Sequence, residues 1–210
     1  MRIECIAECG EYEKIGPVVL PLSVGDEIEE FEAWYFGFPK ARYAVWVKGD
    51  LKDSQRCLLR LQSACIWGNL FGSCYCDCRW QLEESKRLIS QQGCGLIVYA
   101  FDDHGKGVGV RNHFLIYAEG QRQGFELVVD AYEQLGFQED YRNYDDIVKI
   151  LGDVGVDRLG LLTNSPRKID ALQRAGLDVE RVPLIAPTNT HNRQELAVKA
   201  SKLGHLLNGS

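Results

Sequence analysis

Cys65, Cys74, Cys76 and Cys78 fall within a single short stretch of the chain. Thiolates at that density, in a chain read as reduced, point to a soft metal rather than to disulfides, and zinc is the expected ion. Two thiolates at i and i+2, Cys76 and Cys78, meet one metal if the backbone turns around it. A third from a separate segment, Cys65, fills a third tetrahedral position. If the fourth position is open it holds water, whose pKa zinc lowers to about 7, and the site can do hydrolysis. If Cys74 takes it, the site is closed and structural. Spacing alone leaves both open. Cys5, Cys9, Cys57 and Cys94 lie outside the cluster and read as small core or surface residues.

Three further stretches carry polar chemistry. Thr163-Asn164-Ser165-Pro166-Arg167-Lys168 joins an apolar run to a helix start, with Ser165 as cap and Pro166 in the first turn. Free amides there make an anion site, with the Thr163 hydroxyl and the Lys168 ammonium beside it, although the same residues also suit a plain helix cap. Gly105-Lys106-Gly107-Val108-Gly109 permits close backbone approach to a ligand but matches neither a dinucleotide fingerprint nor a P-loop, and reads equally as a surface loop. Asp140 and Arg142 point the same way on an extended segment. An acid there could accept a proton and an arginine could grip phosphate, against the plainer alternative of an exposed ion pair.

These residues need a scaffold. The segments 41–47 and 57–61 have strand composition, with a turn at Gly49-Asp50. A helix is expected from Gln81 to Gln92 with Gly93 as its stop, then a buried strand at 96–101. Helices at 111–123 and from Pro166 to Gly176, strands at 158–163 and 179–185, and a final helix at 194–207 complete a mixed α/β (α+β) fold. The β-rich part, 1–64, and the core, 65–210, are read as one domain. Hydrophobic residues are 45% and charged residues 26% of the 210, enough for a sizeable core. The formal net charge of −6 disfavours binding to nucleic acid or to an anionic membrane. No apolar run approaches the ~18 to 20 residues of a membrane span. The N-terminal Met1-Arg2-Ile3-Glu4-Cys5 lacks an apolar stretch, so a cytoplasmic protein with reduced thiols is expected.

From about Arg60 to Leu207 the chain resembles the GTP cyclohydrolase II family. The resemblance is carried by Cys65, by Cys76-Asp77-Cys78 followed by Gln81-Leu82-Glu83, and by Gln134-Leu135-Gly136-Phe137 followed by Asp140 and Arg142. It continues through Leu161 to Lys168, Glu180 to Leu184, and Lys199 to Leu207. It implies an enzyme that opens the imidazole ring of GTP, releases C8 as formate and removes pyrophosphate, on the way to riboflavin. It implies zinc on Cys65, Cys76 and Cys78, with Cys74 outside the shell. It implies Asp140 as proton acceptor, Arg142 as nucleophile toward the α-phosphorus, and Tyr117 as the catalytic tyrosine, with Ala118 as the competing alignment. Arg60, Gln81, Thr163 and Lys168 match nucleotide-binding positions, and His104 and Lys106 fall in the ligand loop. Magnesium accompanying the phosphates and a homodimer are implied as well.

The departures from the pattern cluster around the substrate. Gln62-Ser63-Ala64 stands where the family has His-Ser-Glu, Asn69 where it has Asp, and Tyr75 where it has Arg. His104-Gly105-Lys106 replaces Glu-Gly-Arg, and Leu127 or Val128 replaces a nucleotide-contacting Thr. Lysine cannot reproduce the two-donor fork of arginine. The expectation is a zinc-dependent cyclohydrolase acting on GTP or a related purine nucleotide. The alternatives are a catalytically altered or inactive nucleotide-binding paralogue and a purely structural zinc protein.

Overall fold

The structure, a computed structural model, describes residues 6–8, 10–52, 56–123 and 128–207. One mixed sheet runs through it in the order β1-β2-β3-β4-β6-β5-β7-β8. Its first half is an antiparallel meander of β1 (Ile6–Glu8), β2 (Glu13–Val24), β3 (Glu27–Gly37) and β4 (Arg42–Lys48). Its second half is parallel: β5 (Cys57–Ser63), β6 (Gly95–Ala100), β7 (Arg158–Leu162) and β8 (Asp178–Val182). The mixed α+β class is therefore as the composition pattern predicts. The turn at Gly49-Asp50 does not join neighbours, because β6 pairs with both β4 and β5 and lies between them.

Helices cover both faces. On one, Tyr144, Ile147, Ile150 and Leu151 of the α4 region (Asp145–Val154), with Leu172 of α5 (Pro166–Arg174), pack on Leu59, Leu61 and Val98. On the other, Ile89 of α1 (Cys78–Gln92) packs on Leu58, Ile97 and Leu162. Both faces of β5 and β6 are thus dry, and their near-continuous apolar runs follow from that. The alternation of β5 leaves Arg60 and Gln62 on the α1 side, in register with Leu58.

The structure adds two helices to those the sequence predicts. They are α3 (Val128–Gln134) and α4, although Asp145-Asp146 in the first turn and Gly155 at the C-cap are ordinary helix boundaries. The last helix, α6 (Arg193–Ser201), is shorter than the expected 194–207. The tail beyond it is held by tertiary bonds instead: Leu206 donates its N–H to the Asn164 carbonyl at 2.9 Å. Ser165 is not a side-chain cap for α5. Its own N–H donates to Thr163 Oγ1 at 3.1 Å, so the hydroxyl two residues earlier satisfies that amide.

A candidate thiol and cation cleft at the ends of the parallel strands

The carboxyl ends of parallel strands are where an α/β sheet opens a crevice. Here β5 delivers the chain to Cys65, β6 to the 101–109 loop, and β7 to Thr163. The cleft they enclose has a volume of about 360 Å³, within the range of small-molecule sites.

Cys65, Cys76 and Cys78 converge, with all three Sγ atoms within 4.8 Å of one another. The Cys65 and Cys76 sulfurs are 3.8 Å apart, about the edge of a tetrahedron with metal–sulfur bonds of about 2.3 Å. A π-helical turn at Ile66–Leu70 bends the chain after Cys65, and Gly68 donates its N–H to Cys65 Sγ at 3.3 Å. Gly68 cannot carry a side chain there: a Cβ would sit 2.7 Å from Cys76 Sγ. Asn69 ties the two segments together, accepting from the Cys65 N–H and donating to the Cys78 carbonyl. Cys74 is exposed and stands outside the trio. The thiols oppose one another's ionisation. The bond with Cys65 pushes Cys76 up to about 12, and for Cys65 the pull of Cys76 is outweighed by Cys78 and burial, leaving it at about 11. Only a cation lets three such groups ionise together, so the donor set fits a thiophilic metal.

The same cleft is lined by three cations, the buried Arg60 and Lys168 and the largely buried Arg142. Arg60 donates to Gln62, to the Leu162 carbonyl and, at 2.6 Å, to Gln81 Oε1. Gln81 passes the link to Asp77. Lys168 donates to the Leu61 carbonyl at 2.6 Å. Burial, then the charges of Arg60 and Arg142, push the Lys168 ammonium well below its ordinary range, and burial lowers Arg60 to about 10. Cations that depress one another this way favour an anion between them.

Asp140 and Arg142 are no exposed pair. Their side chains are 5% and 14% exposed, and two guanidinium nitrogens donate to the two carboxylate oxygens at 2.9 and 2.7 Å. Arg167 adds a contact to Asp140 at 2.9 Å. Burial works against the Asp140 charge, but the bonds and charge of Arg142 outweigh it and hold the acid below its usual range. The pairing likewise raises Arg142 against the effect of burial. Arg142 reaches on to Ser63, and Ser63 to Asp103.

Tyr117, on α2 (Val110–Gln123), lines the cleft, while its neighbour Ala118 is exposed. Lys106 and Thr163 also line it. His104 does not. It is 3% exposed and turned inward, accepting the Ile66 N–H at Nδ1 and meeting His113 at 2.9 Å. The Leu127 position and the side chain of Val128 lie outside the described residues. Residues the sequence did not single out complete the walls: Trp67, Asp103, His113, and a buried lock in which Lys199 of α6 bridges Asp77 and Glu195 at 2.7 and 2.8 Å. The repeated Lys and His of the 199–207 segment were the one visible hint of that lock.

Residues 23–183 match the model of the GTP cyclohydrolase II family. The chain belongs to this family. It is 44% identical over 160 residues to a GTP cyclohydrolase-2 of Hahella chejuensis, covering 76% of each. It is 45% identical over 163 residues to a riboflavin biosynthesis protein RibBA of Bacillus mycoides, covering 77% of this chain and 40% of that one. To a RibBA of Aquifex aeolicus it is 37% identical over 195 residues, 92% of this chain and 47% of that one. The chain thus spans less than half the length of these RibBA relatives. Among the described residues, no helix is long and apolar enough to cross a membrane.

One consequence of the family cleft concerns acid. Burial, with His104 and Lys106 adding to it, pushes His113 down to about 3, against an ordinary value of 6.5. Between those values the unfolded chain binds a proton that the folded one refuses, so stability is full above about pH 6.5 and falls as the pH drops toward 3. At pH 5 this single group costs about 2 kcal/mol. The expected result is a Tm that falls from pH 7 to pH 5, with a shallower fall in His113→Asn, which does not titrate. Parallel slopes for the two proteins would refute it.

Proposed function

We propose that the chain is a zinc-dependent cyclohydrolase that opens the imidazole ring of GTP or a closely related purine triphosphate, releasing C8 as formate and pyrophosphate from the phosphate end. The observation that carries the proposal is the joining, in one cleft, of three converging thiols and three cations, the buried Arg60 and Lys168 and the largely buried Arg142. Cys65, Cys76 and Cys78 would hold the zinc, which when bound supplies a water acidified to a pKa of about 7. Arg60, Lys168, Arg142 and the Thr163 hydroxyl are placed to take the phosphates, and magnesium is proposed to arrive with them as part of the substrate. Asp140 is ionised and so able to accept a proton. Because its pairing favours the charged guanidinium, Arg142 suits a fixed clamp on phosphate better than a nucleophile. Tyr117 stands beside Trp67 and His113 at the aromatic end of the cleft, where a purine ring would lie. A cytoplasmic homodimer is part of the same proposal.

Incubation of the zinc-loaded protein with a panel of purine triphosphates and magnesium, followed by mass spectrometry, tests it. GTP is expected to yield formate and a pyrimidine product lacking C8. A ring-opened formamide that retains C8 would locate the defect in formyl release. Neither product from any purine, with GTP bound tightly, would replace the enzyme with a binding paralogue.

A further inference from the structure

His113 is an imidazole whose proton is assigned by its neighbours. The Ile66 N–H donates to His104 Nδ1 at 3.1 Å, so that nitrogen is bare and the His104 proton sits on Nε2. His104 Nε2 lies 2.9 Å from His113 Nδ1. The indole Nε1–H of Trp67, which can only donate, reaches the same Nδ1 at 2.9 Å. A ring nitrogen that receives two donors carries no proton. His113 is therefore the Nε2–H tautomer, with one donor left to offer.

His113 forms part of the cleft wall although it is only 8% exposed, and its Nε2 makes no hydrogen bond among the described residues while not being sealed from solvent. The ring is clamped edge-on against Tyr117, with centroids 4.8 Å apart and planes at 88°. Gly105 allows the clamp, since its φ is +58° and a Cβ there would meet His113 Cγ at 2.8 Å. The surroundings are aromatic, Trp67 and Tyr117, and the donor is neutral at physiological pH. A neutral N–H among aromatic rings suits the carbonyl of a flat heterocycle, whereas the phosphates have the arginines and Lys168.

We propose that His113 is a specificity-determining residue of this cleft, its Nε2–H donating to the 6-oxo group of the purine. The inference rests on the proposed nucleotide substrate. A 6-oxopurine offers an acceptor at that point. Adenine offers an amino donor, which would oppose a second donor and leave both unpaired.

Dissociation constants for GTP and ATP with magnesium, on zinc-loaded wild type, His113→Asn and His113→Gln, test it. Asn keeps an acceptor near the Nδ1 position for Trp67 and His104 but leaves nothing at Nε2. Gln reaches the Nε2 position with its amide N–H. His113→Asn is expected to weaken GTP about tenfold to a hundredfold with ATP unchanged, and His113→Gln to recover most of the loss. Equal weakening of both nucleotides, or an unchanged ratio, overturns the proposal. A measurement on wild type does not depend on any variant folding: 2-aminopurine riboside triphosphate, which lacks the 6-oxo group and with it the N1–H, should bind at least about tenfold more weakly than GTP. Equal binding also overturns the proposal. Formate release is scored separately, so a protein that prefers GTP through His113 yet releases no formate sinks the cyclohydrolase and leaves this contact standing.

Discussion

Cys76→Ser is expected to remove zinc and turnover together. Its sulfur sits 3.8 Å from Cys65 Sγ and against Gly68, at the centre of the trio. A serine hydroxyl is shorter-reaching and stays protonated, so two thiolates remain for an ion that takes four donors. Loss of the activated water should lower kcat by at least about a thousandfold. Metal analysis and kinetics on one sample check this. Cys74→Ser is the control: the exposed Cys74 should be replaceable with zinc retained at one per chain and turnover within about twofold. A Cys76→Ser protein that keeps both its zinc and its rate would refute the three-thiolate centre. Loss of zinc from Cys74→Ser would turn it into a closed structural site.

Arg142→Lys is expected to be nearly as damaging, for a different reason. Arg142 holds Asp140 with two parallel bonds and still donates to Ser63 through a third nitrogen. An ammonium cannot make that fork, so the clamp on phosphate and the orientation of Asp140 fail together. A loss of about a hundredfold to a thousandfold in kcat/KM for GTP is expected. Arg142→Ala should in addition destabilise the fold by about 3 to 5 kcal/mol, since it strands a buried carboxylate, with Arg167 limiting the damage. Urea unfolding of both variants beside their kinetics separates the two effects. Activity in Arg142→Lys within about threefold of wild type would make the pair a structural one only.

Much of the parallel half of the sheet was legible because burial on both faces writes itself into local sequence. The apolar runs at 57–61, 96–101 and 158–163 could satisfy nothing else. The meander β1–β3 was harder. Its segments carry charge on one face, as at Glu30 and Glu32, so no continuous apolar run marks the strands. The helix α3 and the side chains around it lacked a boundary signal of the kind that Ser165-Pro166 or Gly93 supplied. Among site residues, the four cysteines announce themselves by proximity, but proximity does not separate Cys74 from Cys65, Cys76 and Cys78.

By itself, then, the order of residues determined the cysteine cluster, the parallel strands that aim at it and the family, because spacing and hydrophobic pattern are local properties; it left open whether Cys74 belongs with the other three. Only the tertiary structure decided which groups are dry and which face the ligand. Asp140-Arg142 looks solvated in a polar segment, yet packing against Ser63 and Arg167 buries it. His104 looks like a ligand residue, yet it backs His113, nine positions away around a loop and a helix start. Lys199 reaches Asp77 across 122 residues of chain. Burial, tautomer and mutual charge depend on neighbours in space, and no short stretch of sequence carries that information.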